Sequence, residues 1–467
     1  MTQSLKSKGN QIFMHKKRSA TLILTLCAIV LVFGFIGWFL VAIFEGEKPK
    51  IQLGPIPVFL TQTAEIPLVV TDAERGIRTI KVTLKQGNRH ITLLEKRFSF
   101  EGLFNAEGIH RFETTLAINP SELNQGRADL EVYAWDYSRS SGGDGNLTIA
   151  EHKMTIDTIP PALRLVSQLN YVNEGGTGLI VYQTTSDAVK SGLYVGDRFF
   201  PGFHSSKNPD QGMHVCYFGT PVNTPKDTNF FLWAEDKAGN VSKANLNRSI
   251  HIRNKKFRTR KINISDRFLD QVLPYFSPEL KDPTAKNVVK FLEINQRIRK
   301  VNGMVFYDLG TDTRPEKLWE GSWLRLKNAA TMARFGDRRL YYYKGKVIDE
   351  QIHMGVDLAS LAGSKVGAAN SGRIIFADRL GIYGLTVVID HGQGLASTYS
   401  HLSSINIKKG QAIAKGDVIA LTGQTGLAGG DHLHFGMMVS GFFVNPIEWW
   451  DNHWIKDNIT RKLNSIK

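Results

Sequence analysis

Residues 21–44, TLILTLCAIVLVFGFIGWFLVAIF, carry no charged side chain. As a helix this run is about 36 Å long, enough to cross a hydrocarbon core of ~30 Å. Lys6, Lys8, Lys16, Lys17 and Arg18 precede it with no acidic residue among them, and Glu45, Glu47, Lys48 and Lys50 follow it. The positive-inside rule then makes residues 1–20 a cytoplasmic basic tail and puts everything after residue 45 outside. A cleaved signal peptide is the alternative. The run is longer than an ordinary h-region, and no small-x-small cleavage site follows it. The expectation is a single-pass protein of the cell (inner) membrane, held in the lipid bilayer by 21–44, with its C-terminal domains extracytoplasmic (periplasmic).

The 467 residues exceed what one core organises, so two to four domains are expected. Hydrophobic content of 42% and charged content of 22% describe globular material. A net charge of +15 points to an anionic partner such as lipid or wall polymer. An exported chain on the far side of a membrane is a poor candidate for nucleic acid binding, so no nucleic acid partner is expected. Cys27 lies inside the apolar run, with Leu26 before it where a lipoprotein cysteine needs a small residue. Cys216 is then alone outside, so no intrachain disulfide is expected and stability must come from packed cores.

From about 50 to 253 the texture is all-β. Ile80, Val82 and Leu84 alternate, the chain turns at Gln86-Gly87-Asn88, and Ile91 and Leu93 resume the pattern. DLEVYAWDYSRSSGGDGN (129–146) and NFFLWAEDKAGN (229–240) read as one unit used twice. Each has an apolar strand, Ala-x-Asp (Ala134 to Asp136, Ala234 to Asp236) and a turn closing on Gly-Asn. The offset suits an immunoglobulin-like sandwich, and the consecutive prolines of DTIPPAL (157–163) suit a boundary. Two immunoglobulin-like β-sandwich domains are expected, at 45–158 and 159–253, acting as spacers. RNKKFRTRK (253–261) reads as a solvated linker, with contact to anionic lipid or wall polymer as its functional alternative. A helical connector follows within 254–304. Asp282 is placed as its cap and Pro283 as its first residue, with Val288, Phe291, Leu292 and Ile298 as its stripe, ending near Gly303.

From 305 to 467 the chain becomes Gly-punctuated short strands. In DHLHFG (431–436) a strand would put His432, His434 and Gly436 on one face, with Leu433, Phe435, Met437 and Val439 on the other. IHMGVDLA (352–359) has the same design, with His353, Gly355 and Asp357 opposite Ile352, Met354, Val356 and Leu358. His353, Asp357 and one of the two later histidines make a candidate Zn²⁺ set that leaves a fourth position for water. STYSHLSS (397–404) adds His401. Peptide hydrolysis also needs groups that take and deliver protons near neutral pH, and imidazole does this.

Residues from about 335 to 447 resemble the lysostaphin/LytM-type zinc endopeptidases. The resemblance is carried by FGDRR (335–339), HMGVDLA (353–359), GSKVGAANSGRIIFA (363–377), YGLTVVIDHGQGLASTYSHLS (383–403), KKGQAIAKGDVIALTGQTG (408–426) and DHLHFG (431–436). It implies an antiparallel, hairpin-rich all-β metallopeptidase domain holding one Zn²⁺ per chain. It implies His353, Asp357 and His434 as metal ligands, and His401 and His432 as catalytic residues. The implied substrate is the peptide portion of peptidoglycan, cross-links or stem peptides. Some relatives have lost ligands and act as amidase activators, whereas all five positions are filled here.

His391 reads as structural at a strand end, His453 as surface, and Tyr341, Tyr342 and Tyr343 as packing, with contact of one of them to the oxyanion as the alternative. Two other classes compete. A non-haem iron oxygenase also uses two histidines and a carboxylate, and a scaffold would keep the fold without the chemistry.

Overall fold

The computed structural model describes residues 4–466 apart from 168–169, 206–210 and 226, with side chains from residue 21 onward. The basic tail at 1–20 therefore lies outside the described side chains. The chain divides into two compact units, Met1–Ile159 and Pro160–Lys467.

The first unit begins with the helix Ser4–Ile43. Its Thr21–Ile43 stretch is, by length and composition, able to cross a membrane. The last carbonyls of a helix have no partner within it. Here Ile43 O accepts from Arg139 N (2.9 Å), and Glu45 O, just beyond the helix, accepts from Ser138 Oγ (2.8 Å), Ser140 Oγ (2.9 Å) and Asn146 Nδ2 (3.0 Å). Two sheets follow. Lys50–Leu53, Ala64–Thr71 and Arg111–Ile118 form one; Phe59–Leu60, Leu147–Ile156, Gly126–Asp136, Ile77–Gln86 and Arg89–Arg97 lie in that order in the other. Ile66, Leu68 and Val70 from the first sheet and Ile80, Val82, Leu84, Leu130 and Val132 from the second are fully buried in one core. Burying each such side chain contributes roughly 1.5–3 kcal/mol.

The twofold sequence unit is a structural repeat. Asp136 Oδ1 accepts from Ser138 N (3.0 Å) and Asn146 N (2.7 Å), and its Oδ2 from Asn146 Nδ2 (2.8 Å). Asp236 accepts from Ala238 N (2.8 Å), Asn240 N (2.9 Å) and Asn240 Nδ2 (3.0 Å) in the same way. Each Asp–Asn clasp closes the turn after an apolar strand.

The second unit opens with two four-stranded sheets. Their orders are Phe203–His204, Met213–Gly219, Thr177–Thr184, Leu163–Leu165 and Arg198–Pro201, Ala188–Val195, Phe230–Asp236, Val241–Asn245. Their core, with Leu179, Val181 and Tyr217, is continuous with Trp319, Trp323 and Trp449 from further along the chain. The basic run is only partly linker, because Thr259–Ile264 is a strand paired parallel with Arg338–Tyr343.

The helical segment differs from the expected one. Asp282 caps a turn, accepting from Thr284 N (2.9 Å). The helix starts at Asn287, passes through a π turn at Ile294–Ile298 and continues to Leu309. Gly303 does not stop it, because Ile298, Asn302 and Phe306 continue the buried stripe at helical spacing. Packing outweighs the cost of about 1 kcal/mol for a helical glycine.

The C-terminal sheet is antiparallel. Its strands run in the order Ala330–Ala333, Val356–Ala359, Leu433–Val439, Leu395–Leu402, Gly384–Gly392, Gly372–Leu380, Ala412–Ile413, with Phe442–Val444 also on Leu433–Val439. This order sets three of the histidine-bearing segments side by side.

Candidate metal centre

Asp357 lies directly opposite His434 in the pairing of Val356–Ala359 with Leu433–Val439, and His434 lies opposite Ser400, next to His401. The period-two alternation accounts for this. Val356, Leu358, Leu433 and Phe435 fill the core, which turns Asp357 and His434 to the other face. His353 sits in the bend between Lys346–Ile352 and Val356–Ala359 rather than on a strand. The FGDRR turn fixes it there. Gly336 N donates to His353 O (2.8 Å), His353 N donates to Asp337 O (2.9 Å), and Arg334 O is 3.0 Å from His353 Nδ1.

Three ligand atoms converge. His353 Nε2 is 3.0 Å from Asp357 Oδ1 and 3.0 Å from His434 Nδ1, and those two are 2.9 Å apart. Each residue is buried. The carbonyl of Arg334 engages Nδ1 of His353 and leaves Nε2 turned to the centre. Two imidazoles and one carboxylate are the donor set of an open zinc site, so these residues fit the ion. Burial works against the Asp357 charge, but His353 and His434 outweigh it and hold the carboxyl well below the usual carboxylate range. Burial holds His434 down to about 4.

The other two histidines stand in the same cleft. The His401 ring centre is 4.8 Å from that of His432 and 5.7 Å from that of His434. His401 Nδ1 is 2.8 Å from Thr425 O, and His432 Nδ1 is 2.8 Å from Gly430 O. Both Nε2 atoms are thereby left for other partners, and His432 Nε2 is 3.7 Å from Asp357 Oδ1. Burial and the neighbouring imidazoles push His401 well below the usual histidine range, so it is neutral at pH 7. Its φ is +62°, in the left-handed region. Such a conformation costs of order 1–3 kcal/mol and is held by its surroundings.

The cleft is about 360 Å³. Arg339 and Tyr341 line it beside the five residues, and Phe268 of the short helix Asp266–Val272, with Phe291 and Arg299 of the helix that starts at Asn287, forms a further wall. Arg339 is the residue that sequence reasoning missed. Its Nη2 donates to Asp357 Oδ2 at 2.6 Å. The only signal for it was its place in FGDRR. His391 is buried with both nitrogens engaged, by Ser371 O and Ser397 Oγ at 2.7 Å each, and has no access to the cleft.

A carboxylate and two imidazoles around one point, with two further imidazoles beside them, make a candidate site for one metal ion. Residues 351–446 match Peptidase family M23, and this stretch is an M23 peptidase domain. It is 38% identical over 97 residues to the DD-carboxypeptidase/endopeptidase Mpg of Neisseria meningitidis serogroup B, covering 21% of this chain and 22% of that one. It is 36% identical over 114 residues to the peptidoglycan DD-endopeptidase ShyA of Vibrio cholerae, covering 24% and 26%. It is also 36% identical over 110 residues to the murein hydrolase activator EnvC of Escherichia coli, covering 24% and 26%. The similarity spans about a quarter of each of these proteins.

Proposed function

We propose that this chain is a membrane-anchored zinc metalloendopeptidase that hydrolyses peptide bonds of peptidoglycan. The observation that carries this reading is the meeting of His353 Nε2, Asp357 Oδ1 and His434 Nδ1 within 3.0 Å of one another, with His401 and His432 in the same cleft. His353, Asp357 and His434 would hold the zinc. When bound, zinc polarises a carbonyl and lowers the pKa of a bound water to about 7.

The remaining work falls to the chain's own groups. The Nε2 atoms of His401 and His432 hold and move protons, because their Nδ1 atoms are engaged by backbone carbonyls. His401 is neutral at pH 7, which leaves its Nε2 to face the cleft without a positive charge beside the ligands. Arg339 keeps Asp357 Oδ2 occupied and so aims Oδ1 at the centre. The Thr21–Ile43 helix supports a retained membrane span with the peptidase outside the cytoplasm. The three-strand and five-strand sheets support reading the first β module as an immunoglobulin-like spacer.

A second reading follows from the similarity to EnvC, in which the domain stimulates a separate amidase. Incubating the zinc-loaded chain with purified peptidoglycan separates the two. New amino termini formed with no amidase present support the peptidase. No new amino termini from the chain alone, with faster stem release once an amidase is added, supports the activator.

A further inference from the structure

The loop between Arg89–Arg97 and Arg111–Ile118 carries Phe98, Phe100, Leu103, Phe104 and Ile109. Leu103 is 79% exposed, the highest value of the loop's apolar side chains, and Phe100 and Ile109 are also exposed. Phe104 is not directed into the β core. Its ring centre is 5.7 Å from Trp38 and 5.7 Å from Phe39, both within the apolar Thr21–Ile43 stretch. Trp38 is five residues before the helix end at Ile43, so Phe104 lies about 7.5 Å back along the helix axis.

The loop is built to hold this position. Phe104 and Asn105 have φ of +58° and +66°. Asn105 is fully buried and ties the loop inward: its Oδ1 accepts from Glu101 N (2.8 Å), its Nδ2 donates to Arg75 O (2.8 Å) and its O accepts from Gly108 N (3.0 Å). Asn105 thus faces the module and Leu103 faces out, with Glu101 and Glu107 exposed on either side of it. The Arg75 guanidinium lies 5.3 Å from the Phe104 ring centre and donates to Phe104 O (3.1 Å), which pins the loop tip to the module. The helix end is clamped as well, through the bonds of Arg139, Ser138, Ser140 and Asn146 to Ile43 and Glu45.

We propose that Leu103 and Phe104 insert into the acyl region of the outer leaflet beside the anchor helix, giving the first β module a second, apolar attachment to the lipid bilayer. This rests on the reading of Thr21–Ile43 as a retained span. Glu47 and Glu74 line the groove along the helix end and repel anionic headgroups. The attachment is therefore apolar and independent of anionic lipid.

The test uses the full chain in phosphatidylcholine nanodiscs, with a nitrobenzoxadiazole label on single cysteines. In the wild-type chain Cys27 is exposed on the helix and Cys216 is buried, so labelling is confined to Cys27. In a Cys27→Ser background the label goes on Leu103→Cys, or on Asn88→Cys at the hairpin tip on the far end of Ile77–Gln86. Labels at 27 and 103 should be quenched by lipid carrying a nitroxide on its acyl chain. Iodide quenching at 103 should be about tenfold weaker than at 88, as for a group moved from water into the acyl boundary. Equal iodide access at 103 and 88, with 27 protected, overturns the loop insertion and leaves the anchor standing. Iodide access at 27 as well overturns the anchor and the insertion with it. Protection at 103 that appears only when phosphatidylglycerol is added overturns the apolar attachment.

Discussion

Arg339 and Asp357 form a part-buried pair in which Nη2 of the guanidinium donates to Oδ2 of the carboxylate at 2.6 Å, while Oδ1 stays 3.0 Å from His353 Nε2 and 2.9 Å from His434 Nδ1. One carboxylate therefore serves two partners, one atom each. Groups that orient a metal ligand typically change metal affinity by about 10–100-fold when removed. Arg339→Met should weaken zinc binding by about that factor, and Arg339→Lys should recover part of it. Competition with a chromophoric chelator measures this. An unchanged zinc affinity in Arg339→Met would show that Asp357 needs no such partner.

Gly355 has no room for a side chain. A methyl group there would lie 2.5 Å from His434 Nε2 and 2.7 Å from Phe435 O. Gly355→Ala should push His434 out of line, reducing zinc affinity at least about tenfold, with a loss of stability of roughly 1–3 kcal/mol. Chelator competition and thermal unfolding report the two effects. Wild-type zinc affinity in Gly355→Ala would mean that the strands yield without moving the ligand.

The four histidines should separate into two classes. His353→Ala and His434→Ala should lose zinc and turnover together. His432→Ala and His401→Ala should retain zinc and lose turnover by about 10²–10⁴-fold, the usual contribution of a positioned proton-transfer group. Zinc content and peptidoglycan hydrolysis, measured on the same preparations, check this. An empty site in His432→Ala would reverse the ligand assignment.

Glu448 gives a pH dependence remote from the metal. Its carboxylate accepts from Asn173 Nδ2 and Thr177 N at 2.8 Å each, joining the end of the peptidase segment to the second β module. Burial pushes its pKa up to about 7, against those hydrogen bonds. A raised folded-state value means that the folded form holds the proton more tightly. The contribution of Glu448 is therefore complete below its ordinary value near 4.5 and is lost as pH rises through about 7, a change of order 3 kcal/mol. Glu448→Gln should flatten the fall in stability between pH 5 and 8, since an Asn173 flip can accommodate the new amide. Thermal unfolding of both proteins across that range decides it, and an identical pH slope in the variant would contradict the linkage.

The geometry of the centre was largely legible because it rests on local alternation. Val356 and Leu358, then Leu433 and Phe435, must face a core, and that alone turns Asp357 and His434 to the same side. The rest depends on distant or non-repetitive structure. His353 is held in a bend by the Gly336-Asp337 turn, so the expected strand alternation does not extend to it. The +62° φ of His401 leaves no periodic trace. The bond from Asn173 to Glu448 joins residues 275 positions apart. The helix boundaries differed because Asp282-Pro283 has the chemistry of a cap and of a turn alike, and tertiary packing on Ile298, Asn302 and Phe306 decided where the helix ran.

X-ray absorption at the zinc edge, on the full chain loaded with one equivalent of zinc, tests the centre most directly. Two imidazole nitrogens and carboxylate oxygen at about 2.0–2.2 Å are predicted, unchanged in His432→Ala and lost in His434→Ala. A sphere that keeps both imidazoles in His434→Ala, or loses one in His432→Ala, would contradict the assignment of His353, Asp357 and His434 as the ligands.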